Sequence, residues 1–356
     1  MVNKLSRAQK ILYGLGDTGF SLTGTIIGAY FAIFLTDVVG ITPAVAAIAI
    51  FIGRTWDYIN DPLIGYISDR TRTRWGRRRP FLLFGALPYG LAFLLLWIRP
   101  DLSNQIALVA YYAGAYVIYD IAATLVYMPY FALTPELTED YDERTSLTGY
   151  RMFFSIVGSL VAFTVPLMII GGFEPANAPR VFQMAMLFAL ISALPLIVVF
   201  FNTRERPYFM SQKQPSLRES FKAAVKNKPF VFGAVIFLLT WVSIDILQAG
   251  LLYYIKYILR RENQSDFFMA AIFITAIFSL PLWNYVSKRW NKRMAYVAGI
   301  SFWAVVQLFL MSLNTQTPMG FVTLLCILAG IGIGAAHVLP WSILPDAVEW
   351  DEWQTG

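Results

Sequence analysis

The sequence is poor in charge, cysteine and histidine, and each shortage narrows the function. Only 14% of its 356 residues are Asp, Glu, Lys or Arg, against about 25% in an average soluble domain. The single cysteine, Cys326, stands in an apolar run, so no disulfide framework or cysteine metal centre can be built within one chain. No nucleophile–base constellation, metal cluster or glycine-rich nucleotide loop is visible, and an enzyme is not expected. A cleavable signal peptide is not expected from this amino end. The polar amino end, with Asn3, Lys4, Arg7 and Lys10, leads into a long apolar segment without a small-residue cleavage pattern.

What replaces charge is hydrophobic length. Fully 57% of the chain is hydrophobic, and the stretches 81–98, 152–170, 181–201 and 294–313 hold no charged residue. Each approaches the roughly 20 residues that cross ~30 Å of hydrocarbon. Ten such segments are expected, at 15–35, 44–67, 81–98, 105–133, 152–170, 181–201, 230–254, 267–285, 294–313 and 319–344. Numbering their connections alternately puts 21 Lys and Arg on the side of the amino terminus and five on the other. The positive-inside rule places that terminus in the cytoplasm of a cell inner (plasma) membrane protein. The net charge of +6 is therefore a topological signal, to which anionic lipid adds. Nucleic acid is not an expected partner.

The longest polar stretch, 202–228, holds seven Lys or Arg together with Pro207 and Pro215, and reads as a cytoplasmic linker between two halves. Internal repetition supports the division. Leu133-Thr134-Pro135-Glu136-Leu137-Thr138-Glu139 after the fourth segment matches Ile343-Leu344-Pro345-Asp346-Ala347-Val348-Glu349 after the tenth. Tyr66-Ile67-Ser68-Asp69-Arg70 matches Tyr285-Val286-Ser287-Lys288-Arg289. The offset of six segments predicts an all-α integral membrane protein of the major facilitator fold, two pseudo-symmetric six-helix bundles. The expected divisions are an N-terminal bundle at 1–202, a linker at 203–228 and the first four helices of a C-terminal bundle at 229–356. The last two helices are then missing from this chain; the alternative is a natural ten-helix protein.

The most informative motif is Arg54-Thr55-Trp56-Asp57-Tyr58-Ile59-Asn60-Asp61-Pro62. Asp57 and Asp61 share one helix face, with Asn60 a turn from Asp57. Asp57 lies about 20 Å along its segment, at ~1.5 Å per residue. Ionisable groups at that depth face a cavity or a partner. Two carboxylates and an amide oxygen suit a hard cation such as sodium, or a proton shared between like charges. The rival reading is a structural ion pair with Arg54 or Arg151. Asp120 and Asp245 are further intramembrane acids, each open to a cavity role or a structural one.

The run Gly65-Tyr66-Ile67-Ser68-Asp69-Arg70, followed by Arg72, Arg74, Gly76, Arg77, Arg78 and Arg79, resembles the loop signature of the major facilitator superfamily. It suggests a cytoplasmic latch in which Asp69 pairs with an arginine of the adjoining half. Gly65, Asp69, Arg70, Arg77 and Arg78 are its candidate gating residues. Glycines 14, 16, 19, 24 and 28 of the first segment should let neighbouring helices approach closely. Pro129, Pro135, Pro340 and Pro345 should kink the fourth and tenth segments.

Further motifs sharpen the likeness. Tyr13-Gly14-x-Gly16, Thr36-Asp37-Val38-Val39-Gly40, Arg54-x-Trp56-Asp57-x-x-Asn60-Asp61-Pro62 and Arg74-Trp75-Gly76 resemble the melibiose permease-like family of glycoside–pentoside–hexuronide:cation symporters. The resemblance covers the whole chain and is strongest in the first 150 residues. It implies a cation site at Asp57, Asn60, Asp61 and Thr124, with sodium on Asp57 and Asp61 if the ion is not a proton. It also aligns Arg151 with the family's arginine at the start of the fifth helix. Where the family places sugar-binding acids, this chain has Ser21 and Tyr127; where it has tryptophans, this chain has Phe131 and His337. Asp17, one turn from Ser21, and Asp120, two turns from Tyr127, are alternative polar groups, and Trp341 could stack on a sugar face.

The expected function is cation-coupled symport of a sugar, glycoside or uronide by alternating access. The protein would be a monomer, with no cofactor beyond the coupling ion, sodium or a proton. The rival is a sodium-coupled symporter of a lysophospholipid or other amphiphile. That related branch shares the Trp-Asp-x-x-x-Asp-Pro pattern and the ending at Pro340-Trp341-Ser342-Ile343-Leu344-Pro345-Asp346.

Overall fold

A computed structural model describes residues 5–138, 141–205 and 225–355, and these are helical almost throughout. Among them the one extended pairing outside helices is an isolated bridge between Thr73 and Gly76. The chain divides into two compact units, Met1–Gln214 and Pro215–Gly356. Most of the expected linker, residues 206–224, lies outside the described residues.

The first hydrophobic segment is not one rod. It begins as α1 (Arg7–Gly14), capped by a reciprocal Ser6–Gln9 box, then α2 (Gly16–Ile26), then π-helical turns at Ile27–Phe31 and Phe34–Val39. Gly14 and Gly16 flank the break after α1, where two poor helix formers weaken the ladder. Each π turn fits extra backbone into the helix, a device that hydrophobicity does not reveal.

The remaining helices of this unit are α3 (Pro43–Arg70), α4 (Arg79–Leu96), α5 (Gln105–Leu137), α6 (Tyr141–Ile170) and α7 (Ala178–Asn202). Proline in the first turn starts α3, α4 and α7, and the Asn104 side chain caps α5 by accepting from the Ile106 N–H at 2.9 Å. Pro129 and Pro135 lie inside α5, so that helix continues to Leu137 beyond the expected end at 133. Interior proline is tolerated in a membrane helix when neighbours satisfy the freed carbonyls. Likewise α6 starts at Tyr141 rather than 152, because charged residues extend it past the apolar stretch.

The second unit holds α8 (Lys228–Tyr253), α9 (Ser265–Trp290), α10 (Lys292–Met311) and α11 (Met319–Thr355). Asn227 caps α8 and Asn291 caps α10, each accepting from a backbone N–H three residues on, at 2.9 and 2.8 Å. Helix α11 packs on α8, α9 and α10. Trp283 of α9 donates to the Ile331 carbonyl of α11 at 2.7 Å.

Eight helical stretches among the described residues are long and apolar enough to cross a membrane. Two of the ten expected segments are not among them. One is the divided first segment. The other is α3, whose length is ample but which carries Arg54, Asp57, Asp61, Asp69 and Arg70. Large apolar side chains on the outward faces are exposed, including Phe84, Leu87 and Leu91 of α4 and Phe232, Leu239 and Ile246 of α8. Such continuous apolar surface is what lipid requires and water does not tolerate.

Lipid supplies little hydrophobic drive between helices, so close packing and interhelical hydrogen bonds hold a bundle together. Unit 1 shows both. An added Cβ at Gly19 of α2 would lie 2.4 Å from the Ser192 carbonyl of α7, so the two backbones meet where only glycine fits. Gly24, by contrast, faces open space. Tyr89 of α4 donates to the Gly19 carbonyl at 3.1 Å and bonds the Thr23 hydroxyl at 2.5 Å, while Tyr119 of α5 donates to Thr23 at 3.0 Å. Tyr13 and Tyr130 exchange hydroxyl-to-carbonyl bonds at 2.8 and 2.7 Å.

Candidate functional site

Helix α3 packs along α5, and the spacing of both sequences turns polar stripes toward each other. Asp57 and Asp61 repeat at i, i+4 on α3, as do Asp120 and Thr124 on α5. Thr124 is buried and its hydroxyl donates to Asp61 Oδ1 at 3.0 Å. Buried Asn60 donates to the Asp120 carbonyl at 3.2 Å and to its Oδ2 at 3.4 Å. The Asp57 carboxyl is close enough to Asp61 and Asp120 for the three acids to interact electrostatically. Asp120, expected on the solute side, therefore joins the acids of α3. The reason is register: it lies one turn before Thr124, on the stripe that meets α3.

No arginine pairs with Asp57 or Asp61 among the described residues. Arg54 points its Nε at the Tyr116 hydroxyl, 3.3 Å away, and Arg151 is engaged elsewhere. The ion-pair reading of the α3 acids is thus not what the geometry contains. Nor do three His, Cys, Asp or Glu side chains form a metal-holding group among the described residues. The oxygen set mixes carboxylate, amide and hydroxyl, donors of the hard type that suit a hard cation.

A second constellation lies further along α5. Arg151 of α6 and Asp17 of α2 are each 4% exposed and pair through Nε and Oδ2 at 2.8 Å. Arg151 Nη1 donates to Thr134 at 3.1 Å; its Nη2 is buried without a hydrogen-bond partner. The guanidinium lies 3.8 Å over the Phe131 ring, which meets Tyr127 edge-on at 4.1 Å. Tyr127 in turn abuts Phe20 at 4.9 Å. Tyr127 is in electrostatic reach of Asp17 and Arg151 on one side and of Asp57 and Asp61 on the other. Ser21 is turned away: it donates to its own Thr18 carbonyl at 3.1 Å and fills the space left by Gly158 of α6.

The remaining solute candidates belong to unit 2. His337 of α11 stands edge-on to Trp241 of α8 at 5.3 Å, beside the core of Ile244, Trp303 and Ala336. The Trp341 side chain lies outside the described residues. A cavity of about 550 Å³ opens in unit 1, but its walls are Leu5, Gln9, Tyr13, Leu137, Leu147 and residues 201–204; none of the expected solute residues lines it.

The candidate gating motif forms an ionic cluster within unit 1. Asp69 pairs with Arg78 of its own loop at 2.8 Å, where the chain folds back at Gly76, whose φ is +111°. Buried Glu136 of α5 takes Arg77 at 2.6 Å and the Nε of Arg78. Arg70 lies 3.5 Å over the Tyr66 ring, and nothing would meet a side chain at Gly65 within 4 Å. Glu205 was not anticipated. Its carboxylate accepts the backbone N–H groups of Arg77, Arg78 and Arg79 at 2.7, 2.9 and 2.8 Å, at the positive end of α4. Its signal in the sequence was an acid at the end of an apolar helix facing a basic loop. Thr134, which holds both Tyr13 and Arg151, carried no signal.

Membrane-length helices, a twofold division and a polar pair of stripes inside one unit define a multi-pass secondary transporter of the major facilitator type. The chain belongs to the family described as MFS/sugar transport protein, whose pattern matches residues 12–356. It is 28% identical to the sodium-dependent lysophosphatidylcholine symporter 1-A of Danio rerio, over 96% of this chain and 70% of that protein. It is 27% identical to the isoprimeverose transporter of Lactiplantibacillus pentosus, over 99% of this chain and 74% of that one. Among solved structures it resembles the xylose transporter XylE from E. coli in a partially occluded inward-open conformation. There the TM-score is 0.70 at 17% identity, covering 96% of this chain and 87% of the other.

Proposed function

We propose that this protein is a cation-coupled symporter of a sugar or glycoside, working by alternating access in the cell membrane with its amino terminus in the cytoplasm. Asp57, Asn60, Asp61 and Thr124 hold the ion, sodium or a proton. Arg151, Tyr127 and Phe131 are the solute residues of unit 1; His337 and Trp341 are the candidates that unit 2 contributes by itself. The observation that carries this reading is the α3 acid pair, hydrogen-bonded to Thr124 and paired with no arginine among the described residues. An anionic oxygen cluster in a membrane helix needs a positive ligand, and one that can leave.

Tyr127 stands within electrostatic reach of both constellations, so an ion at one changes the field at the other. The resulting coupling is reciprocal: the ion raises solute affinity by the factor by which solute raises ion affinity, typically about 5- to 150-fold. Asp69, Arg77, Arg78 and Glu136 are the gating group of the loop before α4.

The test is uptake of glycosides by proteoliposomes under an imposed sodium or proton gradient. Replacing both Asp57→Asn and Asp61→Asn should abolish gradient-driven uptake; uptake at the wild-type rate by the double variant refutes the assignment. A second reading, symport of a lysophospholipid or related amphiphile, is favoured by the likeness to the zebrafish lysophosphatidylcholine symporter. Competition between labelled lipid and labelled sugar separates the two.

A further inference from the structure

The Asp17–Arg151 pair bears on which solutes the proposed site accepts, and this argument rests on the assignment of Arg151 to the solute. The guanidinium is 4% exposed, as is its partner. Two of its three nitrogens are committed, Nε to Asp17 at 2.8 Å and Nη1 to the neutral Thr134 at 3.1 Å. Its positive charge is therefore already matched by a carboxylate from α2 within the same unit. What is left is a directed N–H donor, Nη2, enclosed and without an acceptor. Beside it stand the half-buried rings of Tyr127 and Phe131. The other groups around the pair are the phenols of Tyr13 and Tyr130, which bring no charge; the Tyr130 hydroxyl is near the guanidinium but donates its own proton to the Tyr13 carbonyl.

Such a site offers a hydrogen bond without offering a charge. A buried donor left without an acceptor strongly favours any ligand that brings one. A ligand carboxylate would bring an acceptor and also a second negative charge into a buried pair that has no positive charge to spare. A hydroxyl oxygen brings the acceptor alone. Aromatic walls suit the C–H face of a sugar ring. We infer that Asp17 is the built-in counter-ion of Arg151 and sets the charge of the solute, so that the site takes neutral glycosides and rejects hexuronides and phosphate-bearing amphiphiles. Asp17 is then a specificity residue that acts through Arg151, not a direct sugar ligand.

The experiment measures ligand-induced thermal stabilisation and competitive uptake for the purified protein. The probes are methyl glucoside, galactoside and xyloside as neutral ligands, methyl glucuronide as the anion, and lysophosphatidylcholine as the phosphate-bearing amphiphile. At least one neutral glycoside should bind the wild type about tenfold or more tightly than the glucuronide. Asp17→Asn should shift that ratio toward the glucuronide by about tenfold or more. A wild type preferring the glucuronide or the lysophospholipid, or binding none of the probes, overturns the inference. So does an Asp17→Asn protein with an unchanged ratio. Should that variant fail to fold, the wild-type ratio decides alone. The same ratios measured on Asp57→Asn/Asp61→Asn keep the two questions apart: sodium dependence reads the coupling assignment, and charge preference reads this one.

Discussion

Thr124→Val tests the ion site with the least disturbance. The substitution swaps a hydroxyl for a methyl of nearly equal size, so the buried position next to α3 keeps its packing. It deletes the 3.0 Å bond to Asp61 Oδ1 and the oxygen that would face an ion held between the acids. A hydrogen bond to a charged group contributes about 1.5–3 kcal/mol. With sodium as the coupling ion, and ~1.4 kcal/mol per factor of ten, loss of this ligand oxygen should raise half-saturating sodium for uptake roughly 10- to 100-fold. Thr124→Ser retains the oxygen and should stay near wild type. The assay is the sodium dependence of initial uptake in proteoliposomes, with sodium-induced thermal stabilisation as an equilibrium check. A valine variant whose half-saturating sodium moves by less than about twofold would refute the place of this oxygen in the site.

Three further predictions concern the frame that holds the site. Glu205→Gln removes the charge that receives three N–H groups at the start of α4; a loss of about 0.5–2 kcal/mol should lower Tm by a few degrees, and an unchanged Tm would discount the clip. Tyr13→Phe removes the hydroxyl shared by the Tyr130 carbonyl and Thr134, stranding buried partners at a cost of about 1–3 kcal/mol, read as weaker resistance to thermal unfolding. Gly19→Ala places a Cβ 2.4 Å from the Ser192 carbonyl; overpacking of about 1–3 kcal/mol should depress both Tm and folded yield, and normal values would mean that α2 and α7 separate freely.

Much of this architecture could be read before any coordinates. Long uncharged stretches locate α4, α7 and α10 within a few residues, because hydrocarbon thickness dictates their length. The α3 motif singles out the proposed ion site, since paired acids at helical spacing are costly in a membrane. The partners were harder. Asp17 and Arg151 lie 134 positions apart, and hydrophobicity is silent about which acid finds which base. Asp120 changed company because one turn of register on α5 decides whether it meets α3 or the aromatic group. The π turns at Ile27–Phe31 and Phe34–Val39 alter hydrogen-bond spacing without altering composition, so no periodicity announces them. Helix α5 ran through Pro135 because tertiary neighbours overrode local preference.

The phenol-and-hydroxyl seam joining Gly19 and Thr23 to Tyr89 and Tyr119 limits how this unit can deform. Sliding α2 against α4 or α5 would strip a donor of its acceptor in surroundings where hydrocarbon offers no replacement. The three helices therefore travel as one block. As long as that seam holds, Asp17 of α2 and Thr124 of α5 are carried on one frame, so the two polar stations move together rather than toward or away from each other.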